Sequence, residues 1–116
     1  MPAKPGSVEK IFKAFADPTR LRILLLLRGG EVCVGDLTAA LRIPQPTASR
    51  HLSSLRRSGL ALARKKGPWV FYSLSPAKMK FQEALYQSLD CCADESSTMK
   101  ADLARLKRAS ERGGCC

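Results

Sequence analysis

The most chemically distinctive side chains in this 116-residue chain are five cysteines, placed as one single residue and two adjacent pairs. The single residue is Cys33, and the pairs are Cys91-Cys92 and Cys115-Cys116. Thiolates are soft ligands, which select thiophilic ions and disfavour Mg²⁺, Ca²⁺ and Mn²⁺. They are also the side chains that oxidants modify most readily. The cysteines therefore predict either a site for a soft ion or a redox site.

The sequence also indicates the compartment in which these thiols work. Met1–Gly6 lacks the apolar segment of a signal peptide, and the apolar run Leu24–Leu27 is far too short to span a bilayer. We therefore expect a cytoplasmic protein with no membrane partner, in which thiols stay reduced and structural disulfides are disfavoured. No Cys-x-x-Cys motif occurs, and no constellation of histidines or acids stands near a candidate nucleophile, so neither an enzyme nor an organic cofactor is expected.

Charge indicates the partner. The formal net charge is +10, and residues 1–76 hold 13 Lys and Arg against 4 Asp and Glu, whereas residues 77–116 hold 7 against 6. Between Arg42 and Lys66 there are seven cations and no acid. A solvated cationic face is the simpler interpretation, but so strong a concentration of charge favours a polyanion partner.

The elements that must position these groups follow from the hydrophobic periodicity and the turn residues. Ser7 can cap a first helix, and Asp17 followed by Pro18 is a typical helix start. After Gly59 the period changes from 3.6 to 2, and a Lys66-Gly67-Pro68 turn separates two alternating runs, which predicts a β-hairpin. The predicted helices cover residues 8–15, 18–28, 33–42, 46–58, 76 to about 90 or 92, and 98–109.

Residues 43–60 predict a DNA-reading element. Ala48, Leu52 and Leu55 form an apolar stripe at the helical period, so the helix can pack on the helix before it as a helix-turn-helix, with the hairpin beside it as a wing. The side chains that remain outside define the candidate interface. We expect base contacts from Gln45, Thr47, Ser49 and Arg50, and phosphate contacts from Arg57, Arg64, Lys65 and Lys66.

The predicted fold is mostly α with a β-hairpin wing. Its parts are a flexible arm at 1–6, a winged helix-turn-helix and dimerisation domain at 7–92, and a Cys-terminated tail with a short helix at 93–116. The helix after the wing has an apolar face formed by Met79, Leu85, Tyr86 and Leu89. That face can pack inside the protomer or against a second copy, and we favour a homodimer because a reader of this size usually needs two half-sites.

Four segments together resemble the ArsR/SmtB family of bacterial winged-helix repressors. They are Ala16–Ile23 (ADPTRLRI), Val34–Leu37 (VGDL), Gln45–Leu52 (QPTASRHL) and Gly67–Leu74 (GPWVFYSL). The resemblance covers about residues 7–90. It implies a homodimer with terminal helices at its interface, which represses an operon until an inducer, usually a metal ion or metalloid, releases it from double-stranded operator DNA.

The resemblance also bears on the inducer. Arsenite-type members of one branch carry Cys-Val-Cys-Asp-Leu ahead of the recognition helix, whereas this chain has Cys33-Val34-Gly35-Asp36-Leu37, so that cysteine pair cannot form. Zinc-type members carry histidines on the helix after the wing, and the only histidine here is His51. Other arsenic-type members carry an adjacent pair like Cys91-Cys92 and a further cysteine downstream. We therefore expect As(III) or Sb(III), which takes three thiolates, on Cys91, Cys92 and either Cys115 or Cys116.

Several alternatives stay open. The third ligand can come from the same protomer or its partner, and Cys33, which we expect to be a buried core thiol, is a further possible ligand. Cys91 and Cys92 can instead be small buried residues, and the terminal pair can lie in a tail without a role. The predicted function is a repressor of an arsenic-resistance operon; the alternatives are a redox or persulfide sensor, or a Cd/Pb-type sensor, on the same scaffold.

Overall fold

The computed structural model describes residues 7–112, so the predicted arm at 1–6 and the predicted ligands Cys115 and Cys116 lie outside the described residues. Within that range the chain forms six helices and a three-stranded antiparallel sheet. None of these helices is both long and apolar enough to cross a membrane. The elements are α1 (Val8–Phe15), α2 (Pro18–Arg28), β1 (Val32–Cys33), α3 (Val34–Leu41), α4 (Gln45–Arg57), β2 (Ala61–Lys66), β3 (Trp69–Leu74), α5 (Lys80–Glu95) and α6 (Ser97–Glu111).

The first two helices begin near the residues that the sequence indicates. Asp17 is the N-cap of α2 and accepts a hydrogen bond from the Arg20 N–H at 2.9 Å, with Pro18 in the first turn. Ser7 is the N-cap of α1, but its side chain makes no capping hydrogen bond. The five consecutive apolar residues Ile23–Leu27 of α2 are all buried, which confirms α2 as the central helix of the core.

Helices α3 and α4 form the predicted helix-turn-helix. Arg42 makes the turn by adopting the left-handed conformation, with φ 57°, directly after the last residue of α3. Helix α4 then packs on the core through Ala48, Leu52 and Leu55, none of which is exposed to solvent. The apolar stripe therefore faces inward, and the polar side of α4 is left on the surface.

The wing is the hairpin β2–β3, paired from Ala61–Leu74 to Lys66–Trp69, and Gly67 turns between the strands with φ 60°. A third strand, β1, was not predicted. It has two residues, and it pairs with the outer side of β3, Val32 with Tyr72 and Cys33 with Phe71. Two residues are too few to show a period, so only the tertiary pairing defines β1.

The start of α5 differs from the prediction. The Ser75-Pro76 sequence does not open the helix, which begins at Lys80 after the N-cap Met79. Three hydrogen bonds hold the segment 75–79 outside the helix. Tyr86 Oη donates to the Ser75 carbonyl at 2.8 Å and accepts from Gln82 Nε2 at 2.9 Å. The Lys78 N–H donates to Gln82 Oε1 at 3.1 Å. Burial raises the pKa of the Tyr86 hydroxyl, which therefore stays a neutral donor.

The predicted polar break between the last two helices is also shorter than expected. Helix α5 continues to Glu95, and Ser96 alone separates it from α6, for which Ser96 Oγ accepts a capping bond from the Met99 N–H at 3.2 Å. Helix α6 packs on α2 and α3, with Met99 in the main hydrophobic cluster and Leu103 and Leu106 against it. The short helix predicted in the tail therefore exists and joins the core.

Candidate DNA interface and thiol site

The N-terminal half of α4 presents the predicted base-contacting side chains. Gln45, Ser49 and Arg50 are exposed and Thr47 is partly exposed, while Ala48 between them is buried. The Arg50 guanidinium reaches back one turn and donates to Thr47 Oγ1 at 3.4 Å. The first turn of a helix also has N–H groups without intrahelical partners, so this end of α4 offers several donors to a groove.

Arg57 lies at the other end of α4. Twelve residues of helix separate it from Gln45, which is about 18 Å along the axis. It lines a cavity of about 180 Å³ whose other cations are Lys10, Lys13 and Arg20. Arg57 therefore lies far from Gln45, beside α1.

The three predicted cations of the wing are not equivalent. The Arg64 guanidinium pairs with the carboxylate of Glu31 through two bonds, at 2.9 and 2.7 Å, and lies 5.0 Å from the centre of the Phe71 ring. These bonds also hold the pKa of the Glu31 carboxyl below its ordinary range. Lys65 and Lys66 are exposed at the end of the hairpin. Lys65 and Lys66 therefore present their side chains to solvent, whereas the Arg64 guanidinium is paired with Glu31.

The predicted thiol pair lies in the last turns of α5, and the described residues contain both of its sulfurs as free thiols. Cys91 is exposed, and Cys92 is partly buried against the main core. Residues i and i+1 of a helix do not face each other. The two side chains therefore leave α5 in different directions. Among residues 7–112, no group of three His, Cys, Asp or Glu side chains is arranged to hold a metal ion.

Cys33 lies away from this pair. It ends β1, precedes α3 as its N-cap, and is 2% exposed beside Phe71. It was predicted to be buried, and it is. It is not among the free thiols of the described residues.

An ion-pair network that the sequence did not indicate ties α6 to the helix-turn-helix. Asp102 is fully buried, and its carboxylate accepts from Arg22 Nε and Nη2, both at 2.8 Å, and from Arg105 Nη2 at 2.7 Å. The same two arginines donate to the last carbonyls of α3, Arg22 to Leu41 at 3.0 Å and Arg105 to Ala40 at 2.6 Å. These carbonyls have no intrahelical partners, so the two arginines cap the helix directly ahead of the turn into α4. We call the network of Asp102, Arg22 and Arg105 the α6 clasp.

An apolar patch lies on α1 and α5. Val8 is 49% exposed and Phe12 is 51% exposed, and the Phe12 ring stacks on Phe81 with centroids 5.7 Å apart. Met79 is 36% exposed beside the start of α5. Tyr86 and Leu89, which were predicted to face a second copy, are instead 3% and 0% exposed inside the protomer. The exposed apolar surface is therefore smaller than predicted, and it includes α1.

This arrangement of a helix-turn-helix, a basic wing and an exposed cationic recognition helix defines a DNA-binding transcriptional regulator of the winged-helix class. Residues 17–61 match the family described as bacterial regulatory protein, arsR family. The chain is 41% identical over 103 residues to the arsenic resistance transcriptional regulator ArsR1 of Pseudomonas putida, covering 88% of this chain and 79% of that protein. It is 59% identical over 68 residues to the arsenical resistance operon repressor of Escherichia coli, covering 58% of each.

A solved structure agrees with these sequence relatives. The homodimeric winged helix-turn-helix DNA-binding domain of a possible ArsR-family regulator from Mycobacterium bovis superposes with a TM-score of 0.63 at 33% identity, covering 76% of this chain and 79% of that one. The chain therefore belongs to the ArsR family of bacterial transcriptional regulators, and it is a regulator rather than an enzyme. The predicted fold and family are confirmed.

Proposed function

We propose that the protein is a homodimeric repressor that leaves the operator of an arsenic-resistance operon when As(III) or Sb(III) binds its cysteine thiolates. The observation that carries the proposal is the position of the free thiols Cys91 and Cys92 in the last turns of α5, a helix that Ser96 alone separates from α6. The names of the Pseudomonas and Escherichia relatives support arsenic as the inducer.

The chemistry of the donor set suits a trivalent metalloid. Thiolates are soft ligands, and arsenite can exchange its hydroxyl groups for thiolates with release of water and no change of oxidation state. Cys91 and Cys92 supply two sulfurs, and the proposal takes the third from Cys115 or Cys116 of the same or the partner protomer. Closing a flexible chain segment between such positions costs only a few kcal/mol.

The route from the thiols to the DNA runs through α6 in this proposal. Because adjacent residues of a helix do not face each other, we infer that binding one ion to both side chains distorts the end of α5. The distortion passes across Ser96 to α6 and strains the α6 clasp, whose arginines hold the end of α3. The helix-turn-helix then shifts relative to the rest of the dimer. A coupling free energy of roughly 1–3 kcal/mol is enough for a useful switch.

The homodimer is proposed to form through the exposed apolar patch of α1 and α5. A contiguous patch with two stacked phenylalanines is typical of an interface. Two copies related by a two-fold axis would present two α4 helices to successive major grooves about 34 Å apart. The homodimeric relative from Mycobacterium bovis supports this assembly.

The test is DNA release measured by fluorescence anisotropy, with the labelled promoter fragment of the protein's own gene. Arsenite, antimonite, Cd²⁺, Pb²⁺, peroxide and persulfide are titrated into the wild-type complex. We expect release by arsenite and antimonite at the lowest concentrations, with the DNA affinity falling roughly 5- to 150-fold. The Cys91→Ser/Cys92→Ser variant should bind the fragment like the wild type and should not be released.

Matched variants separate the alternatives. Cys115→Ser and Cys116→Ser, made singly, identify the third ligand as the one whose loss abolishes release. Cys33→Ala should keep its response to arsenite. Release by peroxide or persulfide but not by arsenite would establish the redox sensor instead, and release by Cd²⁺ or Pb²⁺ alone would establish a sensor of those ions.

A further inference from the structure

A cluster of arginines lies where α6 meets the turn of the helix-turn-helix. Ala39 and the side chains of Arg42, Arg105, Arg108 and Arg112 line a cavity of about 210 Å³. Arg105, Arg108 and Arg112 follow each other at i, i+3 and i+7, which places them along one face of the helical chain. Arg42 comes from a different element, the turn between α3 and α4. We call these four residues the arginine cluster.

Only one member of the cluster has its charge neutralised. Arg105 contacts the buried carboxylate of Asp102 and the Ala40 carbonyl. Among residues 7–112, the side chains of Arg42, Arg108 and Arg112 have no ion pair and no hydrogen bond, and all three are exposed. Glu111 directly precedes Arg112 but makes no ion pair with any residue of 7–112. The like charges of the three exposed arginines therefore repel one another, and an anion bound there would relieve the repulsion.

The α6 clasp fixes this arrangement. Asp102 holds Arg105 against the end of α3, and the next two turns of the chain carry Arg108 and Arg112 to the neighbourhood of Arg42. The guanidinium group presents a planar fork of donors that matches phosphate oxygens. The chemistry that fits the cluster is therefore a phosphate-type oxyanion.

The position of Arg42 indicates which oxyanion this is. Arg42 lies three residues before Gln45, so its Cα is within about 11 Å of the first residue of α4 even with the chain fully extended. The first turn of a recognition helix is the part that contacts base edges, and the DNA strands bordering the groove carry their phosphates beside it. Arg42 thus brings the cluster close to the start of α4.

We propose that Arg42, Arg108 and Arg112 form a second DNA-backbone contact surface, which binds phosphates at the edge of the groove that α4 enters. The C-terminal helix then takes part in DNA binding directly, in addition to the wing and α4. The inference rests on the DNA-binding function of the family and does not depend on the identity of the inducer.

Salt dependence of DNA binding tests the proposal, because each phosphate contact contributes about 0.9 to the slope of log K against log salt concentration. The full chain is titrated with the labelled promoter fragment and with a duplex of unrelated sequence over a range of NaCl concentrations. The Arg108→Gln/Arg112→Gln variant should have a slope shallower by about 1.8 on both duplexes, and Arg42→Gln a slope shallower by about 0.9.

The matched control is Lys100→Gln/Lys107→Gln, which removes the same charge from exposed positions of α6 outside the cluster. Its slope should equal that of the wild type. Urea unfolding of each variant confirms that it is folded, which we expect because the substituted side chains are exposed. Equal slopes in all variants, or equal losses in the cluster variants and the control, would overturn the proposal while leaving DNA binding intact.

A separate arm distinguishes a free oxyanion. Thermal unfolding without DNA is compared in sodium phosphate and in NaCl of equal ionic strength. If phosphate stabilises the wild type but not the cluster variants, and the DNA slopes do not change, the cluster is a site for free phosphate and the DNA proposal is wrong. If the wild type binds neither duplex, the DNA-binding function itself is wrong. That result differs from unchanged slopes in the variants, which would contradict only the role of the cluster.

Discussion

The region from α1 to the wing and the region of α5 and α6 obtain their functional contacts in different ways. In the first, the decisive contacts join near neighbours in sequence, such as Arg50 with Thr47 and the Arg20 N–H with Asp17, each three residues apart. In the second, Asp102 is bound by Arg22, a residue 80 positions away, and Arg105 caps a carbonyl 65 positions away. Local patterns therefore indicate most elements of the first region, whereas the α6 clasp of the second region appears only in the packed structure.

The difference extends to charge. Residues 77–116 hold 7 Lys and Arg against 6 Asp and Glu, which suggested no particular partner. In the structure most of these acids lie away from the arginine cluster, because Asp102 is buried in the α6 clasp and Asp90, Asp94 and Glu95 lie towards the end of α5. The exception is Glu111, which directly precedes Arg112. What remains at the other end of α6 is the arginine cluster. A total near zero thus concealed a strongly basic surface.

The largest effect should come from breaking the long-range contacts. In Asp102→Asn the two arginines of the clasp lose their buried counter-charge, and we expect the free energy of unfolding to fall by about 3 kcal/mol. We take the low end of the usual range because 21% of the Arg22 side chain and 18% of the Arg105 side chain are accessible to water. Urea unfolding monitored by circular dichroism measures the change.

Asp90→Asn is the control for this variant, because Asp90 pairs with Arg28 over a similar sequence distance but is 60% exposed. An exposed pair contributes about 1 kcal/mol or less. If the two variants lose equal stability, α6 does not depend on its clasp, and the contrast between the two regions disappears.

A smaller effect is expected in the region from α1 to the wing, where a substitution should lower the DNA affinity and not the stability. Arg50→Ala removes an exposed side chain from the recognition surface and should weaken binding to the promoter fragment by roughly 1–3 kcal/mol, with less effect on a duplex of unrelated sequence. Anisotropy titration at fixed salt measures both affinities. Arg56→Ala, exposed on the same helix, loses the same charge and should weaken both duplexes equally. An unchanged promoter affinity for Arg50→Ala would show that α4 does not read this DNA through Arg50.

Much of the first region was predictable from the sequence because its signals are local. The cap Asp17, the stripe Ala48, Leu52 and Leu55, and the turn at Gly67 each specify an element by themselves. These predictions are confirmed, with boundaries shifted by one or two residues. The wing was correctly predicted to be a hairpin. The pairing of Arg64 with Glu31 was not predictable, because it depends on two segments that meet only in the folded structure.

The second region was predicted less well, for the same physical reason. Pro76 follows a serine and looks like a helix start, but the buried hydrogen bonds around Tyr86 hold that segment extended and delay α5 to Lys80. Tyr86 and Leu89 have helical spacing. Spacing alone does not distinguish an apolar face that packs on the core of its own protomer from one that packs on a second copy. The roles proposed for Cys91 and Cys92 likewise remain predictions, although their place at the end of α5 is as expected.

The smallest effect should come from the N-cap of α2. Its size can be compared directly with that of the long-range α6 clasp. Asp17→Ala removes the hydrogen bond from the Arg20 N–H and should lower the free energy of unfolding by about 1 kcal/mol at neutral pH, well below the loss expected for Asp102→Asn. The Arg20 N–H, followed by the charges of Arg20 and His51, holds the pKa of the Asp17 carboxyl below its ordinary value of 3.8.

A depressed pKa in the folded state means that the carboxylate stabilises the protein above about pH 4 and that this contribution is lost as the pH falls below 3.8. Asp17→Asn keeps a capping oxygen without the charge, so its stability should fall between those of the wild type and Asp17→Ala at pH 7. The wild type and Asp17→Asn should converge as the pH is lowered through that range, in urea titrations at a series of pH values. A difference that persists unchanged at low pH would mean that the cap acts without its charge, and the local contribution would then be a matter of hydrogen bonding alone.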